Sequence, residues 1–196
     1  KKREVMFKDP EQELNLGNSG TGARLLLGLI SGLGLRLTMI GDSSLKKRPM
    51  NRVIEPLKMM GAKLSSDTGM LPIRTSGSKI INNFEYEMPI ASAQVKSCLL
   101  FAALSSKKNI KITEPKITRD HTERMIEFFG GEILYENNQN SKKIQLNYSE
   151  LEPKNSFDVP GDFSSAAFII VATIVSKDSE VLIKNVGLNE SRKGLL

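Results

Sequence analysis

Residues 17–31 read GNSGTGARLLLGLIS, a loop of small polar residues followed directly by an apolar run. The same pattern returns in residues 91–105, ASAQVKSCLLFAALS, and in residues 160–175, PGDFSSAAFIIVATIV. The three apolar runs recur at intervals of about 70 residues. This interval is longer than the usual solenoid repeats and indicates a small module that the chain uses several times.

Each apolar run predicts a helix. Each run is followed by a short segment rich in β-forming residues, which predicts a strand. These strand segments are residues 35–40, 109–113 and 180–184. After the first two comes an amphipathic stretch that ends just before a glycine, as helices commonly do. These stretches are residues 51–60 and 122–129. Two more predicted strands close each module, at residues 63–65 and 71–74 and at residues 132–135 and 143–146. The prediction is therefore an α/β module of helix, strand, helix, strand, strand.

Domain organisation is suggested by a polar, proline-containing stretch at residues 152–156, which predicts a domain boundary. The sequence begins at Lys1 without a methionine and stops at Leu196, where the pattern indicates the start of a new segment. We therefore expect the chain to be part of a longer protein.

The composition limits the possible functions. The chain has 196 residues, 39% of them hydrophobic and 26% charged, with a net charge of +6. A basic protein suits an anionic partner, but the charge is dispersed, aromatic residues are scarce and Trp is absent, which disfavours binding of single-stranded nucleic acid. One cysteine and one histidine exclude an internal disulfide, a cysteine-rich zinc site and a multi-histidine metal site. The longest apolar stretch, residues 25–35, is too short to cross a bilayer.

The loop of residues 17–22 allows two interpretations. Glycine and serine before a helix let an anion approach free backbone N–H groups at the positive end of the helix dipole. The same residues also suit a plain helix start that Ser19 or Thr21 caps. The loop is no Walker motif, because no Gly-Lys-Ser/Thr closes it.

Three further segments, residues 41–50, 118–124 and 158–162, carry ionisable residues before predicted helices. In residues 41–50, Pro49 fits a first helical turn, and Arg48 is either a planar donor for phosphate or carboxylate or a solvated loop residue. In residues 118–124, Arg119 is the better candidate ligand, whereas His121 fits a structural or hydrogen-bonding role more readily than catalysis.

Helix capping accounts for other polar residues in these segments. Asp120 or Thr118 is expected to cap the helix that follows them, and Asp162 suits a cap for the third apolar helix. Cys98, inside an apolar run, reads as a buried and inert thiol.

Six segments together resemble the 5-enolpyruvylshikimate-3-phosphate synthases, and they follow that family's order and spacing. They are Leu16 to Arg24 (LGNSGTGAR), Gly41 to Leu45 with Arg48 to Arg52 and Pro56-Leu57, Ser92 to Ser97 (SAQVKS), Arg119 to Arg124 (RDHTER), Val159 to Asp162 with Ser164 to Phe168, and Asn189 with Arg192 and Gly194. The departures are small, since Gly22 replaces a usual Thr or Ala, Phe163 a common Pro, and Ala93 a residue that is Ser in some branches. The resemblance covers essentially the whole chain.

The resemblance implies an inside-out α/β barrel of two domains, each with three βαβαββ units, present here only in part. Residues 1–155 would form most of the N-terminal domain and residues 156–196 the start of the C-terminal domain. The implied reaction transfers the enolpyruvyl group of phosphoenolpyruvate to the 5-hydroxyl of shikimate 3-phosphate, with no metal and no organic cofactor. The implied protein is cytoplasmic and monomeric at full length, binds small anions rather than nucleic acid or membranes, and is a target of the herbicide glyphosate.

The resemblance also assigns ligand contacts, carried over by position. Those expected for phosphoenolpyruvate are Asn18, Gly20, Thr21, Arg48 and Gln94; those expected for shikimate 3-phosphate are Ser92, Ala93, Gln94 and Arg119. The family's acid and base carboxylates and lysines would lie outside this segment, so no catalytic residue is expected here.

Two alternatives stay open at this point. The related UDP-N-acetylglucosamine enolpyruvyl transferases use a reactive cysteine in a mobile loop, a position that Cys98 does not fit. A basic nucleic-acid-binding module would show affinity that falls steeply with salt.

Overall fold

A computed structural model describes residues 7–10, 12–80, 82–137, 141–154, 156–190 and 194–195. The chain divides into two compact units, Lys1–Glu152 and Pro153–Leu196. Their assignment to an N-terminal and a C-terminal domain stays a prediction. Arg192, part of the last family segment, lies outside the described residues.

The first unit contains two copies of one arrangement. The first copy runs β1 (Leu14–Asn15), α1 (Gly20–Leu33), β2 (Arg36–Ile40), α2 (Asn51–Met59), β3 (Leu64–Ser65) and β4 (Ile73–Ser76). The second runs β5 (Phe84–Glu87), α3 (Ala93–Ser106), β6 (Ile110–Glu114), α4 (His121–Phe128), β7 (Glu132–Asn137) and β8 (Lys142–Asn147). The sheets have matching strand orders, β1-β2-β4-β3 and β5-β6-β8-β7, in which the first pair is parallel and the others are antiparallel. The predicted βαβαββ units and the mixed α/β class are therefore confirmed.

Helices α1 and α3 pack side by side and run parallel. Their contacts advance together along the chain: Gly28 lies against Cys98, and Gly32 against Ala102 and Ser105. A Cβ on Gly28 would overlap the Cys98 carbonyl oxygen. The absence of a side chain at Gly28 therefore lets the backbones of α1 and α3 come into direct contact. Because the helices are parallel, both of their N-terminal ends lie at the same end of the pair.

One hydrophobic core unites the helices and both sheets of the first unit. Its fully buried members come from helices (Leu27, Ile54, Leu99) and from strands (Met39, Ile73, Ile112, Ile144). Helices from both the apolar runs and the amphipathic stretches therefore share this core with strands of both sheets. The core holds the helix N-termini in place.

Several sequence-based expectations differ from the structure. Strands β1 and β5 were missed. Strand β1 has only two residues, too few to show a period. Strand β5 (FEYE) alternates half-buried aromatic residues with exposed glutamates, a strand pattern that the sequence did contain. The predicted strand at residues 180–184 is wrong: the described residues of the second unit hold only an isolated bridge between Gly161 and Val186, and a strand needs a continuous hydrogen-bonded neighbour. Pro49 precedes α2 rather than lying in its first turn.

The second unit is built on α5 (Phe163–Val175). The Asp162 carboxylate accepts a hydrogen bond from the Ser165 backbone N–H, which confirms the expected cap. In the described part of the chain, no helix is both long and apolar enough to cross a bilayer.

Candidate functional site

The start of α1 is fixed by a side-chain cap. Ser19 Oγ accepts a hydrogen bond of 3.0 Å from the Gly22 backbone N–H, so Ser19 and not Thr21 caps the helix. The Thr21 hydroxyl instead accepts a 2.9 Å hydrogen bond from Gln94 Nε2 at the start of α3. The cap thus leaves Thr21 free to connect the two parallel helices at their N-terminal ends.

The loop of residues 17–22 is held by the sheet behind it. Strands β1 and β2 run parallel and end together, and beyond them the Asp42 N–H donates to the Gly17 carbonyl over 2.9 Å. Gly17 has a φ of +53°, a conformation that glycine adopts without strain, and its N–H donates to Asn15 Oδ1. The sheet therefore brings the loop of residues 17–22 beside the loop of residues 41–48.

Arg48 reaches across to this first loop. It follows a 3₁₀ turn (Leu45–Lys47) that the buried Leu45 side chain anchors. Its Nη2 donates a 2.8 Å hydrogen bond to Asn18 Oδ1. A Cβ placed on Gly20 would lie 2.8 Å from Arg48 Nη1, so the guanidinium rests on the first residue of α1. Arg48 is a member of the loop cluster and not merely a solvated side chain.

Arg24 belongs to the same cluster, although sequence reasoning gave it no role. Its Nη1 donates to the Gly20 carbonyl (3.2 Å) and to Gln94 Oε1 (3.0 Å), and its Nη2 donates to the Pro49 carbonyl (3.1 Å). One guanidinium therefore ties three segments together. Its spacing of four residues from Gly20 on one helix face was the signal available in the sequence.

The electrostatics of the cluster favour an anion. Burial, and then the nearby charges of Arg48 and Arg52, lower the pKa of the Arg24 guanidinium. Among the described residues, no carboxylate forms an ion pair with any of these three arginines. Two helix N-termini add partial positive charge at the same place. A bound anion would offset this excess of positive charge.

Gln94 is oriented by its neighbours on both sides. Its oxygen accepts from Arg24 and its Nε2 donates to Thr21, so the two ends of the amide are distinguished by their partners. Ser92 caps α3 by accepting from the Val95 N–H at 3.4 Å, and Ala93 is the first residue of the helix. Of the predicted ligands, Asn18, Gly20, Thr21, Arg48 and Gln94 are brought together, with Ser92 and Ala93 adjacent to Gln94 in the chain.

Arg119 lies in a different element. It is half-buried in the loop between β6 and α4, and no hydrogen bond joins its guanidinium to a described residue. Asp120 is the N-cap residue of α4, as expected, and its carbonyl accepts from the Arg124 backbone N–H at 3.0 Å. Its side chain makes no capping hydrogen bond, because Oδ2 accepts from Arg124 Nε at 2.8 Å, and Thr118 donates to Glu114 instead. His121 is exposed at the start of α4.

Cys98 is fully buried between α3 and α1. Burial raises the pKa of its thiol well above the ordinary value, so the reactive thiolate is suppressed. The expected inert thiol is confirmed, and this cysteine is unsuited to the role that the UDP-N-acetylglucosamine enolpyruvyl transferases require. In the described part of the chain, no cluster of His, Cys, Asp and Glu side chains could hold a metal ion.

Comparison with known proteins decides the family. The sequence pattern described as EPSP synthase (3-phosphoshikimate 1-carboxyvinyltransferase) matches residues 2–196. The chain belongs to the EPSP synthase family. This membership favours the 5-enolpyruvylshikimate-3-phosphate synthase interpretation over the UDP-N-acetylglucosamine enolpyruvyl transferase and the nucleic-acid-binding module.

Individual members of the EPSP synthase family are similar over almost the whole chain. The chain is 45% identical over 189 residues to proteins named 3-phosphoshikimate 1-carboxyvinyltransferase from Streptococcus pyogenes, serotypes M49 and M28. The aligned residues make up 95% of this chain and 43% of each of those proteins. A solved structure of EPSP synthase from Acinetobacter baumannii superposes with a TM-score of 0.81 at 39% identity, over 96% of this chain and 42% of that one. The chain thus spans less than half the length of these family members.

Proposed function

We propose that this segment forms a substrate-binding half-site of an enzyme that transfers the enolpyruvyl group of phosphoenolpyruvate to the 5-hydroxyl of shikimate 3-phosphate and releases phosphate. The observation that carries the proposal is the meeting of Arg24 and Arg48 at the N-terminus of α1, with the charge of Arg52 near enough to lower the pKa of Arg24. Among the described residues, no carboxylate forms an ion pair with these arginines. Both substrates carry two anionic groups, a phosphate and a carboxylate. Such a cluster is suited to hold them.

The roles follow the geometry of the cluster. Thr21 offers a backbone N–H of the first turn of α1, and Arg48 offers a planar pair of donors beside it. The Gly20 N–H donates to the Asn18 carbonyl over 3.1 Å, and Gly20, which has no side chain, leaves room for the Arg48 guanidinium. Asn18 holds Arg48 in this position through its side-chain oxygen. We assign these four residues, with Gln94, to phosphoenolpyruvate.

Shikimate 3-phosphate is assigned to the start of α3 and to Arg119. Gln94 is assigned to both substrates. Its amide is held in one orientation by Arg24 and Thr21, at the place where the N-termini of α1 and α3 meet. Ser92 and Ala93 open the helix whose N-terminus lies beside that of α1. The reaction proceeds by addition and then elimination of phosphate, and the residues of this segment bind and orient the reactants. The acid and base groups are assigned to the remainder of the protein.

The same proposal describes the full-length protein as a cytoplasmic monomer that acts on small anions and not on nucleic acid. The test of the function is phosphate release by the full-length protein in the presence of both substrates. Release that requires both substrates supports the proposal. Absence of release, or steeply salt-dependent binding to nucleic acid instead, would overturn it.

Arg48→Lys in the full-length protein is expected to raise the KM for phosphoenolpyruvate about tenfold, with little change in the affinity for shikimate 3-phosphate. Lysine keeps the charge but loses the planar pair of donors and the geometry of the Asn18 contact. A charged hydrogen bond contributes about 1.5–3 kcal/mol, which corresponds to tenfold or more. Steady-state kinetics measure the effect, and Arg74→Lys, an exposed arginine of β4, is the control. An unchanged KM and kcat would remove Arg48 from the site.

Arg119→Ala is expected to weaken shikimate 3-phosphate binding by about 1.5–3 kcal/mol, because one charged hydrogen bond to a bound anion is lost. Calorimetric titration with this ligand alone measures the change. Arg124→Ala is the matched control, because Arg124 is exposed on α4 and pairs with Asp120. Near-normal affinity of the Arg119 variant would leave this arginine without a role in binding.

A further inference from the structure

A buried ion-pair network joins α3, β6 and α4. Lys96 Nζ lies 2.6 Å from Glu123 Oε1 and 3.2 Å from Glu114 Oε2, and all three side chains have no exposed surface. Lys96 is in the first turns of α3, Glu114 ends β6, and Glu123 is in the first turn of α4. Buried ion pairs of this kind seldom add stability compared with apolar side chains, so their presence calls for another explanation.

The network reaches the loop that carries Arg119. The Glu114 carboxylate accepts two hydrogen bonds from Thr118, one from its N–H at 3.2 Å and one from its hydroxyl at 2.7 Å. Thr118 directly precedes Arg119 in the chain. The residue before Arg119 is therefore attached to a carboxylate that Lys96 holds.

The loop is also attached on the other side of Arg119. Lys96 pairs with Glu123, and the hydroxyls of Ser97 and Thr122 lie within 2.6 Å of each other, so α3 is bound to the first turn of α4 at two points. Arg119 stands between Thr118 and this turn, although its own side chain has no partner among the described residues. The backbone around Arg119 is thus fixed while its guanidinium stays available.

The same helix carries the other predicted contacts of shikimate 3-phosphate. Ser92, Ala93 and Gln94 open α3, and Lys96 follows within the next turn. We propose that the network of Lys96, Glu114 and Glu123 positions Arg119 relative to the start of α3, so that both contact one phosphorylated substrate. This inference rests on the proposed role of Arg119. Lys96, Glu114, Glu123 and Thr118 are positioning residues, since they act through Arg119 and do not touch the substrate.

The test uses Thr118→Val in the full-length protein. Removing Lys96 itself would leave two buried carboxylates without a cation, a change that is strongly destabilising. Valine keeps the shape of Thr118 and removes only the hydroxyl bond to Glu114. The dissociation constant of shikimate 3-phosphate is expected to rise about fivefold, as for one lost hydrogen bond, with the KM for phosphoenolpyruvate unchanged. Thr118→Ser keeps a hydroxyl and is expected to restore the affinity.

A double-mutant cycle separates positioning from a general loss of stability. In an Arg119→Ala background, Thr118→Val should have no further effect on the dissociation constant, because the residue that it positions is gone. Thr75→Val is the control: it removes another buried hydroxyl, which bonds to Leu35 and Leu37, and should lower stability without changing shikimate 3-phosphate affinity.

The outcomes distinguish this inference from the proposed function. If Arg119→Ala leaves the affinity unchanged, the proposed role of Arg119 fails and the positioning inference falls with it. If Arg119→Ala weakens binding but Thr118→Val does not, the positioning inference alone is overturned. Equal effects of Thr118→Val with and without Arg119 would also overturn it.

Discussion

Gly28→Ala is expected to destabilise the full-length protein by about 2 kcal/mol. The new methyl would overlap the Cys98 carbonyl oxygen, which is rigid helix backbone, so α1 and α3 must move apart. Overpacking of this kind costs about 3 kcal/mol, whereas alanine gains about 1 kcal/mol over glycine in a helix. The clash therefore outweighs the better helix propensity. The melting temperature should fall by about 4–8 °C.

Gly194→Ala is the control for this substitution. Gly194 has no neighbouring heavy atom within 4 Å of the position of a new Cβ, so its effect should stay within about 0.5 kcal/mol. Thermal unfolding of both variants beside the parent protein measures the difference. A Gly28 variant as stable as the parent would mean that the two helices do not meet through this glycine.

Gly20→Ala is expected to raise the inhibition constant of glyphosate about tenfold or more, and to affect phosphoenolpyruvate much less. In the proposed site, glyphosate is the bulkier of the two ligands, so it is expected to tolerate the added methyl least. The Cβ would stand 2.8 Å from Arg48 Nη1 and 3.2 Å from Arg24 Nη1, and the Arg48 guanidinium must shift. Crowding in a packed site costs about 1–3 kcal/mol, which corresponds to tenfold or more in affinity. Inhibition kinetics measure both ligands.

Gly22→Ala is the matched control in the same loop. Its Cβ would lie 2.7 Å from Ser19 Oγ, so it presses on the helix cap and not on the arginines. This variant should change the melting temperature and leave glyphosate inhibition unaltered. If Gly20→Ala behaves in the same way, the loop of residues 17–22 serves only to start the helix.

The sequence alone predicts the elements that carry a strong local signal. Helices α1, α3 and α5 follow from long apolar runs after capping residues, and α2 and α4 follow from amphipathic spacing before glycine. The order and spacing of the motifs indicate the family. The resemblance to that family in turn predicts the first strand of each unit, including β1, which the local pattern does not predict. Strand β1 is too short to show a period, since its two residues are stabilised by pairing with β2 rather than by their own side chains.

The residues that sequence reasoning missed are those whose partners lie far away in the chain. Arg24 stands beside an apolar helical run and looks like an ordinary surface arginine, but its partner Gln94 comes 70 residues later. Lys96 is a charged residue inside an apolar run, and only the fold brings Glu114 and Glu123 to it. Local patterns contain no information about such contacts, because tertiary packing creates them.

The parallel arrangement of α1 and α3 has a thermodynamic consequence. Two helix dipoles that lie side by side and point the same way repel each other, and three arginines add to the positive potential at their common end. An anion bound there would relieve both repulsions, so an anionic ligand of the proposed site and the fold would stabilise each other by linkage. At a ligand concentration one hundred times its dissociation constant, this linkage adds about 2.7 kcal/mol to the free energy of unfolding. If the proposed substrates bind at this site, their concentration contributes to the stability of the fold as well as to the rate of the reaction.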